Sequence, residues 1–162
     1  MTKKMNNNNS KLEKRGIFLK KLGIYLIVGV VGGVLYFLIE LLYRGYSHWS
    51  MFLLGGIAFL FCGAQGRAVK WRDPLIKQLM RCGIFIAVAE LMTGLLVNRW
   101  LGLRIWDYSD LPFNVMGQIC PHFIVAFMGL CIIGIPLSGY LMYWLTGELR
   151  PPKMKLFRSH TE

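Results

Sequence analysis

Two acids stand in or at the end of long apolar runs, Glu40 and Glu90. An ionised carboxylate among hydrocarbon costs several kcal/mol unless it is paired, hydrated or protonated. Each is therefore open to two readings: hydrogen-bonding glue between helices, or a site for a cation, a proton or a polar substrate. At helical spacing Gly29, Gly33, Tyr36 and Glu40 share one stripe, and Gly83, Ala87, Glu90 and Gly94 share another, so both carboxylates lie on small-residue faces suited to packing on other helices. Glu40 sits about one turn from its helix end and can reach water, whereas Glu90 lies about 10 Å of helix short of Val97. Arg81, nine residues before Glu90, is too far along the helix to be its expected partner. A further polar group follows. The segment Trp106, Asp107, Tyr108, Ser109, then Pro112 and Asn114, is dense in aromatic and turn-forming residues and should be an ordered outer lid, with Trp106 and Tyr108 at headgroup level. If a helix starts near Asn114, then Asn114, Gln118 and His122 form a polar stripe, either an interfacial cap or one wall of an outward-facing pocket with Glu40 and Glu90.

No catalytic, cofactor or metal set is expected. The chain lacks paired acids at catalytic spacing, a Ser/His dyad and an H-E-x-x-H run, so it reads as not an enzyme. Cys62, Cys82, Cys120 and Cys131 have neither C-x-x-C spacing nor His neighbours at zinc distances, and read as small hydrophobes.

The elements that must hold these groups follow from composition. Of 162 residues 55% are hydrophobic and only 17% charged, against roughly 25% charged in soluble domains. Four spans of about 20 residues would absorb most of that apolar content. Neither a soluble domain of nucleotide-binding size nor a G-x-x-x-x-G-K-[ST] loop has room here, so any ATP hydrolysis belongs to a separate chain. Residues 1–20 are expected to form a disordered basic tail, residues 21–146 the helical membrane domain and residues 147–162 a second basic tail. Spans are expected over about 22–43, 49–69, 79–97 and 119–145. The first, with no small-x-small cleavage site after it, reads as a retained anchor. The second carries Gly55, Gly56, Gly63 and Gly66 and reads as tilted or broken, with a re-entrant hairpin as the alternative. Trp71 reads as an interface anchor, Asp73-Pro74 as a turn or helix start, and Pro136 as a kink in the fourth span.

The charge of +11 tests this layout. Sixteen Lys and Arg fall in the tails and the 65–81 loop, while only Arg44, Arg99 and Arg104 fall on the other side. That asymmetry puts both termini in the cytoplasm, makes the span number even, and assigns the basic excess to topology and anionic lipid headgroups, with no nucleic-acid partner.

The series Glu90-Leu-Met-Thr-Gly94, Trp106-Asp107-Tyr108-Ser109, Pro112-Phe113-Asn114 and Gly117-Gln118-Ile119-Cys120 resembles the signature of the ABC-transporter permease family of CmpB-like, "type IV" membrane proteins. Gly55 to Gly63 is similar to the glycine-bearing second span of that family, and Glu40 to the acid closing its first span. The resemblance covers roughly residues 22–145. It implies a multi-pass subunit of the bacterial inner (plasma) membrane, working with a separate ATPase subunit on a substrate the resemblance does not supply. The expectation is therefore an all-α, four-span permease without cofactor, in contact with membrane lipids and open to forming a homo-oligomer through its G-x-x-x-G faces. The competing expectation is a scaffold or regulator that binds lipid headgroups or a partner protein through residues 106–120.

Overall fold

Long apolar runs punctuated by Gly and Pro fold here as four helices, in a computed structural model that describes residues 2–152 and 156, with side chains from residue 11 onward. They are α1 (Thr2–Arg44), α2 (Trp49–Ala68), α3 (Leu75–Gly94), which continues as a π-helical turn over Leu95–Trp100, and α4 (Pro121–Thr146). The described residues hold no strand, only an isolated bridge between Val115 and Ile119. All four helices are long and apolar enough to cross a membrane.

Several boundaries differ from those the sequence suggests. Helix α1 begins at Thr2, so the backbone of the expected disordered tail is helical up to the apolar run. Extending a helix that already exists costs far less than starting one. Helix α2 is a single regular helix and neither broken nor re-entrant, because its glycines face neighbouring helices. A Cβ on Gly33 would lie 2.6 Å from the Phe52 carbonyl oxygen, and one on Gly56 would lie 2.6 Å from the Gly29 carbonyl oxygen. The G-x-x-x-G face of α1 is thus spent inside the chain, on α2. The third span starts at Leu75, after Pro74 in the N-cap position, four residues earlier than hydropathy indicates. Its first turns carry Gln78 and Arg81, whose side chains hydrogen-bond to Gln65 and Asp73. Pro136 lies inside α4, which continues through it.

Between α2, α3 and α4 runs an apolar core of Cys62, Trp71, Leu79, Cys82, Ile86, Phe127, Cys131 and Ile135, with Phe61 stacked on Phe85 at 3.9 Å. Trp71 is only 6% exposed. It is no interface anchor: the absence of Cβ atoms at Gly66 and Gly139 makes room for its ring between α2 and α4. The same end of the bundle is tied by Arg67 to Glu148 (2.5 Å) and by a polar net. There Gln65 donates to Gln78 (3.0 Å), Gln78 to the Asp73 carbonyl (3.0 Å), and Arg81 to both Gln65 (3.0 Å) and the Asp73 carboxylate (2.5 Å). Arg81 is accordingly committed to Asp73 and Gln65 at the far end from Glu90. Ser138 adds a 2.7 Å bond to the Phe59 carbonyl and seats α4 against Gly63 of α2.

Candidate functional site at the loop end of the bundle

Residues 101–120 form a compact connection across the opposite end. Its order begins in α3. Gly94 is helical, at φ −63° and ψ −43°, and the hydrogen in place of a side chain lets the loop settle directly on the helix. A Cβ there would stand 2.5 Å from Gln118 Oε1 and 3.1 Å from the Trp106 ring. Four residues on, in the π-helical turn, Asn98 accepts from the Ile105 amide (2.7 Å) and donates to the Trp106 carbonyl (3.0 Å) and to Gln118 Oε1 (2.7 Å). Trp106 Nε1 donates to the Gln118 carbonyl (3.0 Å). Such single π turns often occur where a helix must aim side chains at a site. Trp106 is 5% exposed and packs with Met51 and Leu54 of α2, so it is a plug in the bundle and does not present its ring to the surroundings. Its indole N–H finds a carbonyl partner inside, as buried tryptophans usually do.

The expected helix from Asn114 does not form. Met116 and Gly117 take positive φ (56° and 70°), and Cys120, preceding Pro121, is extended, as residues before proline prefer. The Asn114 side chain instead closes the loop on itself, donating to the Leu111 (2.8 Å) and Ser109 (3.1 Å) carbonyls and accepting from the Gly117 amide (2.9 Å). Asn114, Gln118 and His122 are therefore no common stripe. Gln118 is buried against Asn98, and His122 is exposed, edge-on to Phe123 at 5.5 Å. Asp107 accepts from the Ser109 amide (2.9 Å) and hydroxyl (2.5 Å), and Pro112 lies exposed in the following turn. The two Ser109 hydrogen bonds hold the Asp107 carboxyl below the ordinary carboxylate range.

Under this loop a cavity of about 430 Å³ is lined by Tyr36, Glu40, Arg44, Asp107, Tyr108 and His122, among others. Glu40 is saturated within it: Arg44 donates at 2.5 Å and Ser47 at 2.6 Å. Glu90 is not. It is 1% exposed; Tyr108 of the loop donates to Oε1 at 3.3 Å, and Oε2 has no hydrogen-bond partner. Burial first, and then the Glu90 charge, push the Tyr108 phenol well above its ordinary range, so it stays a donor. Tyr108 also stacks on Phe123 of α4 at 4.4 Å. One loop residue thus bridges the buried acid of α3 and the ring face of α4.

The structure gathers Glu40, Tyr108 and His122 around one cavity, with Glu90 bonded to Tyr108, and leaves Asn114 and Gln118 outside its lining. Tyr36, Arg44 and Asn98 escape notice as site residues in the sequence. For Asn98 a signal exists, since it lies eight residues past Glu90 on the same helical face. The cysteines read as small hydrophobes also converge: the Sγ atoms of Cys62, Cys82 and Cys131 all lie within 4.8 Å of one another. No local spacing announces this, because each comes from a different helix.

Residues 22–158 match the model of a family described as "Putative ABC-transporter type IV". No curated protein and no solved structure matches the chain.

Proposed function

The chain belongs to this ABC-transporter type IV family of multi-pass membrane proteins, and from that premise we propose that it is the permease subunit of a transporter whose ATP hydrolysis is carried by a separate chain. The observation that supports a transport site is Glu90, a carboxylate buried in the third span with one oxygen held by the loop and the other unpartnered. An acid in that state is stabilised by taking up a proton or a cation. In this reading the cavity beneath residues 106–118 admits a cationic or polar solute, Glu90 receives its charge, and Tyr108 moves with the loop to open or close access. Glu40, neutralised by Arg44, shapes the entrance. The chain performs no bond chemistry of its own. The sixteen-to-three division of Lys and Arg supports both termini lying in the cytoplasm of a plasma-membrane protein, with the loop end outside.

Purification from native membranes, followed by identification of co-purifying chains and reconstitution in liposomes, tests this. A stoichiometric partner carrying a Walker A loop, with ATP-driven flux lost in Glu90→Gln and Glu90→Leu, is expected. Repeated recovery without such a partner and without flux would overturn the permease reading and leave the scaffold reading, in which residues 106–120 bind a partner directly. Flux unchanged in both Glu90 variants would remove Glu90 from the pathway.

A further inference from the structure

We propose that Cys62, Cys82 and Cys131 form a three-sulfur binding site for a soft monovalent cation, Cu(I), in the interior of the bundle. One sulfur comes from each of α2, α3 and α4, so the site exists only when those three helices are assembled. The sulfurs are 3.7 Å apart for Cys62 and Cys82 and 3.8 Å apart for Cys62 and Cys131, and all three lie within 4.8 Å. A metal–sulfur bond of about 2.3 Å in a trigonal arrangement places its sulfurs about 4.0 Å apart. The triangle therefore needs only small side-chain shifts to close on a single ion. A disulfide needs about 2.05 Å, and all four cysteines are free.

The donor set selects the ion. The metal-binding group consists of thiols alone, with no imidazole or carboxylate in it. Hard cations such as Mg²⁺ and Ca²⁺ require oxygen ligands, and structural Zn²⁺ takes four ligands where this cluster offers three. Soft thiolates favour Cu(I). Cys62, Cys82 and Cys131 are at most 4% exposed and lie among Ile86, Phe127 and Ile135, a dry setting that keeps water from competing for the ion. Charge balance is modest: Cu(I) displacing two thiol protons, with the third sulfur retained as a neutral thiol, gives a site of net charge −1. Arg81, the residue before Cys82, keeps a buried Nη2 without a hydrogen-bond partner, and Gln65 donates to the Cys62 carbonyl, so the polar net borders the cluster on one side.

A cavity of about 220 Å³ is lined by Cys62 and Cys131. Tyr36, Ile39, Phe127 and Leu130 line both it and the cavity beneath the loop, so the two spaces adjoin. Cys62 and Cys131 thus border a space next to the one that Glu40, Asp107 and His122 line. This inference stands on the thiol geometry and does not depend on the permease reading.

The test uses the full chain, purified in detergent without oxygen, and titrated with Cu(I) against a coloured Cu(I) chelator. One Cu(I) per chain is expected, with an all-sulfur first coordination sphere by X-ray absorption. Changes in groups that merely support a metal ligand cost about 10–100-fold in affinity, so Cys62→Ser, Cys82→Ser and Cys131→Ser should each weaken binding at least about a hundredfold. Cys120→Ser, whose thiol is outside the triangle, should change it less than about twofold by the same comparison. Helical circular dichroism and gel filtration confirm that each variant is folded. Should one Ser variant fail to fold, Cu(I) protection of the wild-type thiols from alkylation supplies the second readout, with three thiols protected and Cys120 not. Absence of Cu(I) binding, equal loss in Cys120→Ser, or protection of no thiol would show that the sulfurs only pack, and would overturn the proposal.

Discussion

Gly94→Ala isolates the contact on which the loop-end architecture depends. Alanine in place of an open helical glycine normally stabilises by about 1 kcal/mol, and the backbone at Gly94 is regular helix that alanine adopts freely. Its new Cβ would nonetheless stand 2.5 Å from Gln118 Oε1 and 2.9 Å from Gln118 Cβ. Gln118 must retreat, giving up the Asn98 bond at 2.7 Å and loosening the Trp106 bond to its carbonyl at 3.0 Å. Overpacking and unpairing of buried polar groups each cost about 1–3 kcal/mol. Set against the propensity gain, the net loss is about 1–5 kcal/mol. Unfolding in mixed micelles by SDS titration, read by circular dichroism, measures it, and limited proteolysis within residues 101–120 reports whether the loop lifts. Gly129→Ala is the control, because nothing lies within 4 Å of a Cβ there; it should be neutral or stabilising. In a Gln118→Ala background the Gly94→Ala penalty should shrink, since the 2.5 Å clash with Oε1 is removed, but not vanish, since the Cβ of residue 118 (2.9 Å) and the Trp106 ring (3.1 Å) remain in the way. A Gly94→Ala protein as stable as Gly129→Ala, with an equally resistant loop, would refute the docking described above.

Gln78→Leu should cost about 1–3 kcal/mol in the same titration, because it removes two 3.0 Å bonds, from Gln65 Nε2 and to the Asp73 carbonyl, and leaves buried Gln65 Nε2 only its 3.3 Å bond to the Cys62 carbonyl. A loss below about 0.5 kcal/mol would mean that the net does not hold the helices. The Asp107 turn should be pH-dependent in one direction only. Its carboxyl is depressed by Ser109, so the turn is fully stabilised above the ordinary Asp value of about 3.9. That contribution declines as pH falls through the lower folded value. Protection of the Ser109 amide from hydrogen exchange, corrected for intrinsic rate, should therefore be constant from neutral pH down to about 5 and weaken only in stronger acid. Protection lost near neutral pH would contradict the turn.

Hydropathy carried the four helices because bilayer thickness sets a long-range length requirement that a single window of sequence can meet. Its errors came from side chains that are polar but paired. Gln78 and Arg81 cut the expected third span short, yet their partners Gln65 and Asp73 come from α2 and the turn before α3, which no local pattern reveals. Residue type suggests an interface position for Trp71 and Trp106, and no local pattern shows that vacant Cβ positions at Gly66, Gly139 and Gly94 create the space that buries them in the bundle. At the site, Glu90 and the ordered 106–118 segment were legible from their chemistry. Their contact was not, since the Tyr108 bond to Glu90 depends on positive φ values at Met116 and Gly117 and on the extended Cys120, which turn the loop back over α3.

The two membrane acids look alike in sequence, each on a glycine-bearing face, and the structure gives them opposite electrostatic situations. Glu40 has both oxygens occupied, by Arg44 four residues on and by Ser47 in the next turn of chain. Its charge is balanced whatever the loop does. Glu90 has one donor, Tyr108, and that donor belongs to the loop. Moving the loop therefore changes the environment of Glu90 and leaves Glu40 nearly untouched. Lifting Tyr108 removes the only hydrogen bond Glu90 receives among the described residues and at the same time unstacks Tyr108 from Phe123 of α4. The acid can then be stabilised only by water, a proton or a cation arriving from the cavity. Occupancy of Glu90 and position of the loop are thus thermodynamically linked: whatever binds the carboxylate more strongly with Tyr108 withdrawn must also favour the open loop by the same free energy.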